Sequence, residues 1–423
     1  MSKKELAKLS DLAFFGGKQK LFSDDNVKSV GAPKSNCDID DFCLQVKEII
    51  TSGQWTNNGK YVQRLEKEIA AYFGVEHAVL VCNATIGLQV ALKALDVVGE
   101  VIVPSFTFVA TAHAAAWLGL DVRFCDINPE TLMLDAGHLQ RLITPKTAAI
   151  VPVHVYGRVA DIEAIETAIG SRKISIVTDA AHAFGCRYAD GSFVGTKGTC
   201  EVFSLHATKC FSTMEGGLIT TNDPALATKL RKIINFGFSG YDQVSMIGTN
   251  AKMCEVAAAF GLQQLKSFLS LLDHNRTNFA LYQRLFREQA RKDNEWCKFV
   301  SFLDATTAKC NCHYVVLRWK KNGTRVDRDF VVAALNSENC QLRRYFFPGV
   351  HAFAPYKDYQ PWLEQTMPHT NEIAQEVICL PSGTQMSEHD IIALVQTIVF
   401  LWTKRDEIHG RLLSPDKTAA KIE

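Results

Sequence analysis

One lysine of the chain stands where its side chain could act as a nucleophile. Lys209 lies between two strand-like segments, among small and apolar neighbours and just before the turn Glu215-Gly216-Gly217. Most lysines are solvated surface charges, and without its particular surroundings Lys209 would be interpreted in the same way. In apolar surroundings, however, the pKa of a lysine falls, and its uncharged amine can attack a carbon atom. Lys209 is therefore a candidate for covalent catalysis.

Two other segments place polar groups at the ends of predicted strands, where ligands of open α/β sheets collect. Asp179 follows the apolar run 174–178. A buried carboxylate there should meet a cation or hydrogen-bond donors, unless it only caps a helix. At Asn83-Ala84-Thr85 a strand turns directly into a helix, whose N–H groups and positive dipole end could bind a phosphate. Helix capping is again the alternative.

Together these signals match what pyridoxal phosphate requires. That cofactor needs a lysine for a Schiff base, a carboxylate at the pyridine nitrogen and a helix N-terminus for the phosphate. Nucleotide-binding loops fit less well, because no G-x-G-x-x-G opens the first strand–helix unit and no G-x-x-x-x-G-K-[ST] occurs. The sequence thus predicts a pyridoxal phosphate site that contains Lys209 and Asp179.

The elements that must position these residues alternate between strands and helices. From about residue 61 to 260, short β-branched runs such as 79–82 and 149–153 alternate with helical periodicity. Strands buried on both faces show this pattern, so we expect an α/β fold with a mostly parallel sheet covered by helices. A long helical stretch near 255–290 then leads into a smaller α+β unit. The expected divisions are an N-terminal arm over 1–44, a large domain over 45–265 and a small C-terminal domain over 266–423.

Composition excludes several classes of protein. Hydrophobic residues make up 47% of the 423 residues and charged ones 22%, which does not suit a disordered or coiled-coil chain. The formal charge of +1 leaves no electrostatic footprint for nucleic acid or an anionic membrane. The 13 cysteines show no paired C-x-x-C spacing, so we expect neither a disulfide framework nor a metal site. No signal peptide or membrane-spanning run is visible, and the prediction is a cytoplasmic protein.

The order of four motifs resembles that of a known enzyme family. These motifs are Asn83-Ala84-Thr85, 179–183, 204–209 and Glu215-Gly216-Gly217. They are similar to the sugar aminotransferases of the DegT/DnrJ family, which have the aspartate-aminotransferase (type I) fold. Many relatives have Gly or Ser-Gly where this chain has Asn83-Ala84, but alanine still offers its N–H. Related sugar dehydratases have His where this chain has Lys209, which argues against that activity.

The resemblance implies a role for each residue of the site. Lys209 would hold the cofactor, and Asp179 would pair with the pyridinium nitrogen. His182 would reach the phenolic oxygen, and Phe108 would stack on the ring, although core packing is the alternative for Phe108. Asn250 would reach the phosphate from the partner subunit of a homodimer with shared active sites, unless it only shapes a loop turn. Three further residues would contact the phosphate: Ala84, Thr85 and Ser204.

The resemblance also implies substrates, namely L-glutamate as donor and a nucleotide-linked keto-sugar as acceptor. Segments 55–59, 235–241 and 343–351 look most like the subgroup that makes dTDP-4-amino-4,6-dideoxyglucose from dTDP-4-keto-6-deoxyglucose. A C-3 aminotransferase is one alternative. A non-catalytic cofactor-binding regulator is another, but it would need a DNA-binding extension, for which residues 1–44 are too short and not basic enough. Substrate contacts are expected from Asn57, Arg343, Arg344 and His351, unless the basic residues form a solvated loop.

Overall fold

The computed structural model describes residues 6–31, 37–305, 309–358 and 366–413, and it contains two units built on separate sheets. The strands are β1 (Lys28–Ser29), β2 (His77–Val81), β3 (Glu100–Pro104), β4 (Asp121–Cys125), β5 (Thr147–Ile150), β6 (Ser175–Asp179), β7 (Cys200–Ser204), β8 (Gly217–Thr221), β9 (Phe238–Gly240), β10 (Gln243–Val244), β11 (Val300–Phe302), β12 (Val315–Trp319), β13 (Cys340–Gln341) and β14 (Val377–Leu380). The helices are α1 (Ile39–Ser52), α2 (Lys60–Phe73), α3 (Ala84–Ala94), α4 (Val109–Trp117), α5 (Ala136–Leu142), α6 (Ile162–Ile169), α7 (Pro224–Ile233), α8 (Glu255–Lys292), α9 (Trp296–Phe299), α10 (Arg328–Ser337), α11 (Ala354–Lys357), α12 (Pro368–Glu376), α13 (Glu388–Thr403) and α14 (Arg405–Leu413).

The larger unit is a helix-covered sheet of seven strands in the order β2-β8-β7-β6-β5-β3-β4. Neighbouring strands are parallel except for the two pairs that include β8. Successive residues of β2 enter opposite cores: Leu80 packs with α2, α6 and α8, while Val79 packs with α3, α4 and α7. Because both faces are covered, the strands lack polar alternation. The predicted α/β fold is confirmed.

The smaller unit is built on the antiparallel sheet β11-β12-β14, with α10 and α13 packed into its core. Residues of the N-terminal segment lie in the same core, because Leu9, Leu12 and Phe22 are buried there and β1 pairs with β13. The N-terminal segment is thus attached to the C-terminal unit, about 300 residues away in the sequence.

Helix α8 joins the two units. Leu272 belongs to a core of the larger unit, and Phe279 belongs to the core of the smaller one. The predicted boundary at 265/266 therefore falls inside a continuous helix, and the division into domains stays a prediction. Across the described ranges, no helix is both long enough and apolar enough to cross a membrane.

Candidate active site

The carboxyl ends of β2, β6 and β7 open onto one cavity of about 560 Å³. Parallel strands end at a common edge, which is why polar residues far apart in the sequence meet here. The cavity wall contains seven residues that the sequence predicted for cofactor binding: Ala84, Thr85, Phe108, Asp179, His182, Ser204 and Lys209.

A helix N-terminus forms one end of the cavity. The Asn83 side chain accepts a hydrogen bond from the N–H of Ile86 at 2.9 Å, so Asn83 caps α3. The first N–H groups of a helix have no acceptor within the helix, and those of Ala84 and Thr85 stand at the cavity. A Cβ on Gly217 would lie 2.6 Å from the carbonyl carbon of Asn83, so glycine lets β8 pass close to this turn. The Asn83 cap thus leaves the N–H groups of Ala84 and Thr85 available to an anion.

Asp179 is held rigidly at the end of β6. Its side chain accepts hydrogen bonds from the Thr111 hydroxyl at 2.8 Å and from the N–H of Ala181 at 3.0 Å. Burial raises the pKa of Asp179, and these two hydrogen bonds oppose the rise. The carboxylate is 5% exposed and lines the cavity, where a cationic ligand group would stabilise its charge.

Lys209 lies in the loop between β7 and β8 and reaches the same cavity. Burial lowers its pKa to about 8, partly offset by the attraction of Asp179. An amine in this range loses its proton near neutral pH, as a nucleophilic or proton-transferring lysine must.

The ring of His182 forms part of a wall of aromatic side chains. Its Nδ1 accepts a hydrogen bond from the N–H of Tyr156 at 3.1 Å, which leaves the proton of the neutral ring on Nε2. Burial holds the pKa of His182 well below its usual range, so the ring is neutral. The ring of Tyr314 packs against it, with centroids 4.4 Å apart, and Phe346 stacks at 5.8 Å.

Sequence reasoning missed several residues in or next to the cavity. Thr111, which orients Asp179, could have been found from its place one turn after Phe108 at the start of α4. The missed residues that line the cavity are Gly31, His206, Thr208, Glu215, Tyr314, Tyr345 and Phe346. Gly31, Tyr314, Tyr345 and Phe346 come from other parts of the chain, and no local pattern links them to this cavity. The other three stand within the motifs 204–209 and 215–217, but the sequence gave them no role.

The remaining predicted residues do not line this cavity. Asn57 and Asn250 are exposed; Asn57 lines a separate hollow, and Asn250 forms a bridge with Asn235. Arg343 is exposed, and Arg344 is ion-paired with Asp329 at 2.8 Å.

His351 was expected to contact the substrate, but it is buried inside the protein. Its side chain is 1% exposed and hydrogen-bonds to the Ser105 hydroxyl within the protein. The alternative of a solvated loop therefore does not describe His351, and the contact of His351 with the diphosphate stays a prediction. Its partner comes from the loop after β3, 246 residues away, so the sequence alone gave no sign of the contact.

The donor set of the cavity fits pyridoxal phosphate. Helix N–H groups and the hydroxyls of Thr85 and Ser204 suit a phosphate, and the buried carboxylate of Asp179 suits a protonated ring nitrogen. Lys209 supplies the amine, and His182 offers a neutral N–H. Among the described residues, no three side chains are grouped as metal ligands.

Comparison with known proteins finds sugar aminotransferases among the proteins similar to this chain. The model of the DegT/DnrJ/EryC1/StrS aminotransferase family matches residues 36–399. The chain is 36% identical to a dTDP-4-amino-4,6-dideoxy-D-glucose transaminase of Shigella dysenteriae, over 85% of this chain and 95% of that protein. It is 33% identical to a GDP-perosamine synthase of Caulobacter vibrioides, over 78% and 86% of the two chains. The crystal structure of DesI in the presence of its TDP-sugar product superposes with a TM-score of 0.87 at 36% identity, covering 96% of this chain and 100% of that one.

Proposed function

The chain belongs to the DegT/DnrJ/EryC1/StrS aminotransferase family, and on that premise we propose that it transfers the amino group of L-glutamate to C-4 of dTDP-4-keto-6-deoxyglucose. The product is dTDP-4-amino-4,6-dideoxyglucose, with the new amine equatorial. Pyridoxal phosphate is the cofactor of this family. The observation that carries the proposal is that Lys209, Asp179 and the N-terminus of α3 line one cavity.

Lys209 is the proposed proton-transfer group. Bound pyridoxal phosphate would supply an electron-withdrawing ring and a carbonyl carbon that accepts amines. Lys209 would hold the cofactor at that carbon, and its free amine would move a proton to and from the substrate carbon. Its lowered pKa of about 8 suits both tasks, because the amine must exchange a proton near neutral pH.

The other residues hold and polarise the cofactor. The Asp179 carboxylate, fixed by Thr111 and Ala181, would keep the proton on the pyridine nitrogen. The neutral His182 would donate its Nε2–H to the phenolic oxygen, since Nδ1 is already used as an acceptor. The phosphate would be held by three residues at the strand ends: Ala84, Thr85 and Ser204.

A homodimer with shared active sites is part of the proposal. The hairpin formed by β9 and β10 is exposed along its length, and Tyr241 at its turn is 94% exposed. Ile247, three residues before Asn250, is 80% exposed. An apolar surface of this kind favours contact with a second copy of the chain, which would carry Asn250 to the neighbouring phosphate. The 13 cysteines suit a reducing compartment, and we include a cytoplasmic setting in the proposal.

The substrate is supported by the relatives rather than by a contact in this chain. The Shigella dysenteriae relative is a dTDP-4-amino-4,6-dideoxy-D-glucose transaminase, and the DesI structure was obtained with a TDP-sugar product. A substrate held in catalytic geometry would present one sugar carbon to Lys209 and not its neighbour. We therefore expect sharp discrimination between 4-keto and 3-keto isomers.

One assay tests the function directly. Purified protein is incubated with pyridoxal phosphate, L-glutamate and dTDP-4-keto-6-deoxyglucose, and the product is analysed by mass spectrometry and NMR. The expected product carries an equatorial amine at C-4, and the 3-keto isomer gives little turnover. An amine at C-3 or an axial amine at C-4 would refute the substrate assignment, and the absence of any amination would refute the enzymatic one.

A further inference from the structure

Four buried cysteines lie next to the active site without lining its cavity. They form a thiol cluster of Cys186, Cys210, Cys310 and Cys312, each at most 5% exposed. Cys210 directly follows Lys209, and Cys186 follows the segment that contains His182. The proposed transamination uses none of these thiols, and their function is open.

Cys186 and Cys310 face each other across two paired segments of chain. The N–H of Arg187 donates to the carbonyl of Lys309 at 2.8 Å, which joins the segments just beside the two cysteines. The N–H of Asn311 donates to the sulfur of Cys186 at 3.3 Å, and the thiols of Cys186 and Cys310 hydrogen-bond to each other. The two sulfur atoms are thus neighbours, which is the first requirement for a disulfide.

Of these two cysteines, Cys310 is the one that lines a groove open to solvent. The groove has a volume of about 360 Å³, and its charged residues are three cations and one carboxylate: Arg158, Arg187, Lys309 and Asp304. The buried Nη1 of Arg158 has no hydrogen-bond partner within the ranges that the structure describes. Reactive thiols occur in such electropositive, accessible surroundings, because the cations favour the thiolate and the oxidant can enter.

The hydrogen bonds within the cluster distinguish the two thiols. The sulfur of Cys310 accepts from the N–H of Cys312 at 3.3 Å and from the thiol of Cys186, while the Cys312 thiol donates to the carbonyl of Cys310 at 3.7 Å. The bonds to its sulfur hold the pKa of Cys310 well below its usual range, whereas burial raises the pKa of Cys186. Cys310 thus accepts hydrogen bonds at its sulfur and also lines the groove, which favours it as the attacking thiol with Cys186 beside it.

We propose that Cys310 is a peroxide-sensitive site and that Cys186 is its resolving partner. The Cys310 thiolate attacks one oxygen of hydrogen peroxide, and after protonation of the leaving hydroxide it becomes a sulfenic acid with release of one water molecule. The sulfur of Cys186 then displaces the hydroxyl group from Cys310. A second water molecule leaves, and the product is a Cys186–Cys310 disulfide, so peroxide is reduced and the two thiols are oxidised by two electrons.

The residues that follow Cys310 connect this disulfide to the active site. The Asn311 side chain donates to the carbonyl of His182 at 2.8 Å. His313 donates from Nε2 to the carbonyl of Thr208, the residue before Lys209, at 3.0 Å. Drawing Cys310 towards Cys186 moves the segment that makes both bonds, and with it the proposed cofactor contacts. This last step rests on the proposed function, whereas the thiol chemistry does not.

Peptide mapping tests the thiol chemistry without any substrate. Holoprotein is treated with hydrogen peroxide, the remaining thiols are alkylated, and trypsin releases Cys186 in peptide 174–187 and Cys310 in peptide 310–318. The expected product is a disulfide between these two peptides that dithiothreitol reverses. The exposed Cys297, in peptide 293–298, serves as an internal reference. A free Cys310 after Cys297 has been oxidised, or a disulfide confined to peptide 310–318, would overturn the proposal.

Two variants separate the roles of the thiols. Cys186→Ala should leave a sulfenic acid on Cys310 that dimedone labels, whereas Cys310→Ala should abolish both the disulfide and the label. Absence of dimedone labelling in Cys186→Ala would show that Cys310 is not the attacking thiol.

Cofactor release tests the connection to the site. The dissociation of pyridoxal phosphate after dilution is followed by visible absorbance in reduced protein, oxidised protein and oxidised Cys186→Ala. Oxidised wild type should release the cofactor several-fold faster, and Cys186→Ala should not respond. Equal rates in oxidised and reduced wild type would disprove the connection even where the disulfide has formed.

Discussion

At the scale of single residues, the ionisation of Lys209 makes a direct prediction for the apo-protein. Only the uncharged amine attacks a carbonyl carbon, and burial lowers the pKa of Lys209 to about 8 from the usual 10.5. The rate of pyridoxal phosphate attachment should therefore rise about tenfold per pH unit below pH 8 and level off above it. Stopped-flow absorbance on apo-protein measures this rate. A rate that keeps rising to pH 10 would show an ordinary lysine.

Covalent attachment of pyridoxal phosphate also identifies the lysine that binds it. Borohydride should fix the cofactor to the peptide that contains Lys209, and Lys209→Ala should bind pyridoxal phosphate without this covalent link. Recovery of the label on another lysine would contradict the assignment.

Asp179 should matter for rate far more than for stability. Asp179→Asn keeps one side-chain oxygen that can accept from the N–H of Ala181, and its new NH2 group can donate to the Thr111 hydroxyl. The free energy of unfolding should therefore change by only about 1 kcal/mol. Loss of the charge removes the partner of the pyridinium proton, and each pKa unit lost at that nitrogen is worth about 1.36 kcal/mol. We expect a loss of more than about a hundredfold in kcat with glutamate, on the assumption that at least two such units are lost.

Urea unfolding and steady-state kinetics on the same preparation separate the two effects of Asp179→Asn. Thr111→Val serves as the matched control, since it removes one hydrogen bond but keeps the charge, and its loss of rate should be much smaller. Near-normal turnover of Asp179→Asn would reject the catalytic role.

At the scale of elements, the start of α2 depends on a buried glutamate from α8. Glu255, 1% exposed, accepts hydrogen bonds from the N–H groups of Gly59 at 2.8 Å and Tyr61 at 2.7 Å. Its carboxylate thereby caps the helix that follows the segment 55–59. This contact gives that segment a structural reason for its sequence, beside the substrate role that we predict for Asn57.

Replacing Glu255 should destabilise the larger unit. Glu255→Ala leaves two buried N–H groups without an acceptor, at a cost of about 1–3 kcal/mol for each. We expect the free energy of unfolding to fall by about 3 kcal/mol in urea titrations. Glu255→Gln, which keeps one carbonyl acceptor, should fall between this variant and wild type. A change below about 0.5 kcal/mol in Glu255→Ala would show that water replaces the cap.

The secondary-structure elements also explain which parts of the fold and of the site could be predicted from the sequence. Buried parallel strands and the turns at their carboxyl ends carry local patterns, so the sheet, Asp179, Lys209 and the start of α3 could be predicted. Leu9 and Leu12 carry no such pattern, because their packing partners lie in α10 and α13, more than 300 residues away. Tyr314 was missed for the same reason, since a strand-like run does not reveal which cavity its first residue meets.

At the scale of the whole molecule, the position of Asn250 decides how many chains build one site. Asn250 is exposed and absent from the cavity of its own chain, so a role at the phosphate requires a second subunit. In a two-fold dimer each site would combine Lys209 of one subunit with Asn250 of the other. The hairpin of β9 and β10, together with Ile247, provides an exposed apolar surface for that contact.

Mixing two inactive variants tests this arrangement. Lys209→Ala subunits lack the amine, and Asn250→Ala subunits should bind the cofactor too weakly for normal turnover. After unfolding and joint refolding at equal amounts, half of the dimers are hybrids, and each hybrid has one site with both groups intact. The expected activity is therefore about a quarter of the wild-type value, read against each variant refolded alone. If Asn250 served its own subunit, one site of the hybrid would lack Lys209 and the other Asn250, so mixing would restore nothing.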